Sequence, residues 1–341
     1  MKYLHAKSPC CHGKTIKYGG RRRQCVLCKK TWRIRKKKRG RNTKRKSLNL
    51  FLKYLKREIP SLYVLSRIKQ KSKSKNRKKS EDQLQREVKY GLNKFLNNNS
   101  WPKIPTRRKL ITIADAMVET ISKKTYAFYF ILLKTVKSNK AIIVKPYIKL
   151  GNESWLGWQE AFYQLPESVL TSIKALVGDG SSGLMSIAKR RKWIIQRCHF
   201  HLLARIQGRR SRWARSRHRE LGERLYFLAK EIITNPDEAV INHCLKELEI
   251  IKTNTGSQIL RKYLSGFIKN YKEYRTYLYY PELNLPLTSN TAESLISDIR
   301  NLFNRAHGFR TIHSSILWIN ALLKYKKFAT CNGKLPTKLT R

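Results

Sequence analysis

Residues 174–198 read KALVGDGSSGLMSIAKRRKWIIQRC. An apolar run ends on Asp179 between two glycines. An amphipathic stretch follows, and a second apolar run closes on Cys198. Short apolar runs bounded by glycine and flanking a helix-period segment predict strand, helix, strand. An acid at the end of an apolar strand is costly unless it meets a counter-charge. Gly178 and Gly180 leave room for a metal or a phosphate to approach Asp179.

The pattern extends outward on both sides. RKLITIADAMVET, YAFYFILLKTV and KAIIVKPYIKLG read as three strands, the first with Asp115 at its end. GWQEAFYQLPESVLTSIK reads as one helix. Successive strands followed by alternating strands and helices predict an α/β fold with a mixed sheet covered by helices. From about 208 to 280 the pattern turns helical and basic. PLTSNTAESLISDIRNLFNRAHGFRTIHSSILWINALLKYKKF then predicts two further helices, the first capped by Thr288, Ser289 or Asn290.

The chain carries 75 Lys and Arg against 21 Asp and Glu, a formal charge of +54. Such an excess points to a polyanionic partner, because basic side chains that neutralise phosphates release condensed counterions. It is strongest in residues 1–100, with 33 basic against 4 acidic residues. Arg33, Arg35, Lys36 and Lys37 beside Trp32, and Arg209, Arg210 and Arg212 beside Trp213, combine charge with an aromatic face, so they are the candidate DNA contacts. No apolar leader opens the chain and no apolar run reaches eighteen residues, so a cytoplasmic, nucleoid-associated protein without a membrane partner is expected.

Four of the seven cysteines fall within nineteen residues: Cys10, Cys11, Cys25 and Cys28. Cys25 and Cys28 form a C-x-x-C knuckle, and the short runs TIKYG and TWRIR suit a zinc ribbon over residues 1–45. Ser8 stands where a second C-x-x-C would begin. The fourth Zn²⁺ ligand is therefore open between Cys10, His5 and His12. Residues 46–100 carry two amphipathic stretches, broken at Pro60 and by the charged run KSKSKNRKK. The second opens with Glu81 and Asp82, which favour a helix N-terminus. This predicts a helix-turn-helix-like DNA-binding segment.

Three acids stand out: Asp115, Asp179 and Glu293, the last on the helix opened by TSNTAES. A lone Asp after an apolar run is more often a turn residue. Three acids brought together on a sheet and a facing helix make a site for two Mg²⁺ (or Mn²⁺) ions about 3.5–4 Å apart. Glu119 rivals one metal position, and Glu282 and Asp298 rival Glu293.

Asp115 in LITIAD, Asp179 in VGDG, Cys198 and His201 in RCHFH, and Glu293 in TSNTAES with Arg300 and HGFRT behind it resemble the DDE transposases of prokaryotic insertion sequences, on the Mutator-like side of that superfamily. The likeness covers nearly the whole chain. It departs from the family in IADAMVE, where relatives often follow the Asp with a Gly. The resemblance implies a ribonuclease H-like catalytic domain in residues 105–207 and 281–330, with a helical insertion at 208–280. It implies catalytic, metal-holding roles for Asp115, Asp179 and Glu293, and terminal inverted repeats and target DNA as partners. It also implies a homodimer or higher assembly on DNA, and water and then a freed 3′-hydroxyl as nucleophiles. Cys198 and His201, with His5, are accessory candidates, and His199 is expected at the surface. Two other readings fit the charge: a non-catalytic DNA-binding protein, and a basic RNA-binding zinc-ribbon protein. The first, a domesticated or decayed transposase, is opposed by the presence of all three acids; the second would not need the three carboxyls to converge.

Overall fold

The computed structural model describes residues 11, 14–18, 22–33, 43–59, 64–67, 80–213, 219–306 and 308–331; for 33, 43–47 and 207–213 only the backbone is described. The chain is mixed α/β. A small antiparallel sheet comes first: β1 (Thr15–Lys17), β2 (Arg22–Cys25) and β3 (Thr31–Arg33). Two helices follow, α1 (Thr43–Leu55) and α2 (Glu81–Asn98). α2 starts where the Ser80 side chain accepts a hydrogen bond from Gln83 N, with Glu81 and Asp82 in the first turn.

The main sheet is built on β4 (Leu110–Ile121) and β5 (Lys124–Thr135), an antiparallel hairpin twelve residues deep. β6 (Lys140–Ile143) and β7 (Tyr147–Leu150) share the outer edge of β5. On the other side β8 (Ile173–Gly178) lies parallel to β4, and β9 (Ile194–Arg197) parallel to β8. β10 (Phe328–Thr330) closes the far edge, giving the order β10-β6-β5-β4-β8-β9 with β7 beside β5. The strand–helix–strand reading of 174–198 matches β8, α5 (Ser182–Arg190) and β9.

Both faces of the sheet are covered, which is why β5 is apolar at nearly every position. On one face, Ile111, Ile113 and Met117 of β4 pack with α1, α2, α11 (Asn290–Arg305) and α12 (Ile312–Lys326). On the other, Leu110 and Ala114 pack with α3 (Trp155–Tyr163), α4 (Glu167–Leu170) and α5. The single helix expected over 157–174 is two. Pro166 lies between α3 and α4, where its missing N–H and the clash of its ring with the preceding turn stop the first helix. Gly157 of α3 is required by a close approach: a Cβ there would lie 2.0 Å from Tyr129 Oη. Tyr129 is fully buried against Trp158 and Tyr147 and cannot swing away. Gly157→Ala should therefore cost about 2–3 kcal/mol of stability, measured by urea unfolding.

A third core belongs to α6 (His199–Trp213), α7 (Arg219–Thr234), α8 (Glu238–Asn254) and α9 (Gln258–Tyr274). The short α10 (Thr276–Tyr279) returns the chain to the sheet. Its Thr276 Oγ1 donates to Ile195 O, and Tyr277 N donates to Gln196 Oε1 of β9. Buried Arg275 donates to the carbonyls of Ile232 and Asn235 at the end of α7, fixing the helices to one another.

α1 and α2 complete the core of the main sheet. Phe51, Tyr54, Val88 and Phe95 are buried in the same cluster as Ile113 and Phe128. Arg305 of α11 donates to Tyr54 O, and Arg57 pairs with Asp298.

Candidate active site and metal centre

Asp115 is not at a strand end, as its position after LITIA suggests. β4 continues six residues beyond it, held by pairing to β5, with Asp115 opposite Phe130. What ends near Asp115 is its other neighbour. β8 pairs with β4 up to Ile113 opposite Val177, then stops at Gly178. That register, carried two residues on, sets Asp179 level with Asp115. Strand alternation turns both toward the face covered by α11. Glu293 lies in the first turn of α11, among the buried neighbours Ala292 and Ile296.

The three carboxyls act on one another. Burial first, and the Asp179 charge second, push Asp115 up to about 8. Glu293 and Glu153 add in the same sense, and the Ala116 N–H hydrogen bond at 2.8 Å opposes them. Burial and then Asp179 push Glu293 up to about 7, against Arg300. Asp179 Oδ1 accepts from Ser181 N at 2.8 Å, where the chain turns into α5. Gly180, at φ +90°, makes that turn beside Arg197: a Cβ would lie 2.6 Å from Nη1 of Arg197. Arg197 is itself held by an ion pair with Glu273 of α9.

The competing acids are disposed of by their neighbours. Asp298 forms ion pairs with Arg57 and Lys326, joining α1 and α12 to α11. Glu282 is exposed in the 3-10 turn Pro281–Leu283. Neither these nor Glu119 is among the groups that perturb Asp115. Sequence reasoning missed Glu153, which sits just before α3 and accepts a hydrogen bond from Trp158 Nε1 at 2.7 Å. No spacing signal marks it, because a loop residue is brought in only by the packing of α3.

Cys198 and His201 lie against the same helix. Cys198 N donates to Gly178 O at 2.8 Å, and Ser289 N donates to Cys198 Sγ at 3.1 Å. Nδ1 of His201 stands 3.3 Å from Glu293 Oε1 and 3.4 Å from Ser289 Oγ. Burial lowers the His201 pKa, and the Asp179 charge opposes that shift. Burial pushes the Cys198 thiol up to about 11. His199 is fully buried, not at the surface. Its Nε2 lies 2.6 Å from Tyr274 O, because α9 returns over the start of α6.

At the N-terminus, Cys11, Cys25 and Cys28 come together. Sγ of Cys11 lies 3.1 Å from that of Cys25 and 3.7 Å from that of Cys28. These separations are well beyond a disulfide bond of about 2.05 Å. The turn from Cys25 to Lys30 is closed by Cys25 N to Lys30 O and Lys29 N to Cys25 O; Cys25 is buried and Cys28 exposed. The trio can hold a metal ion such as zinc. Cys10, His5 and His12 lie outside the described residues, as do Arg35, Lys36 and Lys37. The backbone of Arg33 ends β3, and that of Arg209, Arg210 and Arg212 lies in the last turns of α6.

The fold and site therefore define a strongly basic mixed α/β protein with a three-cysteine cluster and, on the main sheet and its covering helix, acids whose charges act on one another. No protein-family model matches the chain, and no curated protein matches it. Among the described residues no helix is long and apolar enough to cross a membrane.

Proposed function

We propose that the protein is a DDE-type DNA transposase whose main sheet, with its helical layers, is a ribonuclease H-like catalytic domain. One observation carries the reading: in a chain of charge +54, the charges of Asp115 on β4, Asp179 after β8 and Glu293 on α11 act on one another, with Glu153 adding to the effect on Asp115. Strand order supports it. A long antiparallel hairpin is followed by two parallel strands, with one acid on the first strand, one after the parallel neighbour and one on a covering helix.

Asp115, Asp179 and Glu293 would hold Mg²⁺ or Mn²⁺. Half-buried, mutually repelling carboxyls suit a hard cation. Such ions would supply charge neutralisation for an in-line phosphoryl displacement. The chain's own residues would supply the rest. Asp115 and Glu293 would serve as ligands in their carboxylate form. Gly180 lets Arg197 lie against the Asp179 turn, which sets a positive charge beside that acid. The excess of Lys and Arg would neutralise the DNA backbone and make binding salt-dependent. Water cuts the element end, and the freed 3′-hydroxyl attacks the target. Handling two ends together calls for a dimer or higher assembly on DNA.

The test is strand cleavage and joining on DNA carrying the element's own ends, with Mg²⁺ or Mn²⁺, for the wild type and Asp179→Asn. The variant should lose about 10³-fold in rate, several kcal/mol of transition-state stabilisation, while still binding DNA. Tight, salt-sensitive binding with no cleavage by either protein would instead make it a non-catalytic DNA-binding protein.

A further inference from the structure

We propose that Cys198, His201 and Glu293 form a second, thiophilic cation site at the rim of the carboxylate cluster, suited to Zn²⁺, and that filling it opposes the Mg²⁺-dependent reaction. The antagonism rests on the transposase reading; the site itself does not.

The ligand atoms are already assembled: one from each of the three residues, all within 4.8 Å of one another. Their chemistry differs from that of the neighbouring acids. Sulfur, imidazole nitrogen and one carboxylate oxygen make a borderline-soft set that selects zinc, whereas carboxylates alone suit magnesium. Three protein ligands with an open fourth position is the arrangement of an accessible zinc site. The sequence builds two of them locally. Cys198 immediately precedes α6 and His201 lies three residues on, so one turn of helix sets them on the same side. The third comes from the first turn of α11.

Two further observations favour a cation over an inert packed pair. A backbone amide, Ser289 N–H, is aimed at Cys198 Sγ from 3.1 Å, the kind of supporting contact that stabilises sulfur as a metal ligand. Oε1 of Glu293 is buried with no hydrogen-bond partner although Nδ1 of His201 stands 3.3 Å away. Nδ1 also lies 3.4 Å from Ser289 Oγ; it and the glutamate oxygen stand side by side, as two ligands of one ion must. On binding, the cation displaces the thiol proton to solvent and forms the metal–sulfur bond. Glu293 is common to both sites, and two cations side by side repel, so occupation of one weakens the other.

The full-length protein is titrated with Co²⁺ as the probe. Bound equivalents and the thiolate-to-cobalt charge-transfer band are compared for the wild type, Cys198→Ser and His201→Ala, all with the N-terminal cysteines intact. Each variant should bind one equivalent fewer than the wild type, and Cys198→Ser should lose part of the band. Equal stoichiometry and unchanged spectra in His201→Ala would overturn the site. That variant changes a half-buried side chain and decides the matter if Cys198→Ser does not fold. Zn²⁺ added to the Mg²⁺ reaction should slow the wild type more than His201→Ala, each relative to its own zinc-free rate; equal slowing overturns the antagonism. A missing cobalt equivalent in the variants, with no cleavage by any protein, upholds the site and overturns both the antagonism and the transposase reading.

Discussion

Asp115→Asn should raise the thermal midpoint of the metal-free protein at pH 8 and, on the transposase reading proposed above, abolish Mg²⁺-dependent strand cleavage. Both effects come from one carboxyl. Asp115 is pushed up to about 8 by burial and by the Asp179 charge, so the folded state holds its proton far more tightly than the unfolded chain, whose Asp titrates near 3.8. Where the folded state binds more protons, stability falls as pH rises. The stabilisation is fully present below the unfolded pKa and is lost as pH climbs through about 8. Glu293, pushed up to about 7, works in the same direction. One pKa unit is about 1.4 kcal/mol, so the loss between pH 4 and pH 8 is on the order of a few kcal/mol. Asparagine cannot ionise. The midpoint of the variant should therefore pull ahead of the wild type progressively over that interval, and Mg²⁺ should narrow the gap by stabilising the wild type alone. A gap that does not change with pH, or equal stabilisation of both by Mg²⁺, would contradict the repulsive cluster. A more stable, inactive variant is the expected signature of residues kept for chemistry at a cost in stability.

Phe51→Ala should destabilise the entire main domain by about 3–5 kcal/mol, the usual cost of removing a buried phenyl ring. Phe51 is fully buried, with ring centroids 5.4 Å from Phe95 and 5.6 Å from Trp318. These rings belong to α1, α2 and α12, and their cluster is continuous with Ile113 of β4 and Ile299 of α11. Unfolding in urea, followed through the sheet, should shift its midpoint with an unchanged slope. If the helices at 43–98 were an independent unit, only a minor N-terminal transition would move. The result bears on function too, because α1 is tied to the helix that carries Glu293 through the Arg57–Asp298 pair.

Much of the site was legible in the residues themselves. Asp179 between two glycines at the end of an apolar run announced a strand end, and β8 ends one residue before it; the room the glycines leave is filled by Leu184 and Arg197 rather than kept for a ligand. The C-x-x-C of Cys25 and Cys28 announced a knuckle, and Cys11 joins it. Asp115 was recognisable as an acid in an apolar run but not as a mid-strand residue. Its strand is extended by twelve paired positions of β5, a cross-strand contact that no local pattern contains. His199 was misplaced at the surface for the same reason: the cover over it is Tyr274, 75 residues away.

By itself the sequence determined the periodicities, and with them the strands, the helices and the few acids in a basic chain, because those depend on neighbours within a turn or two. Only the tertiary structure decided which acids meet. Glu282, Glu293 and Asp298 are alike in composition and close in number. One is exposed in a turn, one is paired to Arg57 and Lys326, and one is turned toward Asp115 and Asp179. That choice is made by how α11 lies on the sheet. Packing sets it, through apolar side chains such as Leu295, Ile299 and Phe303 that carry no chemistry of their own.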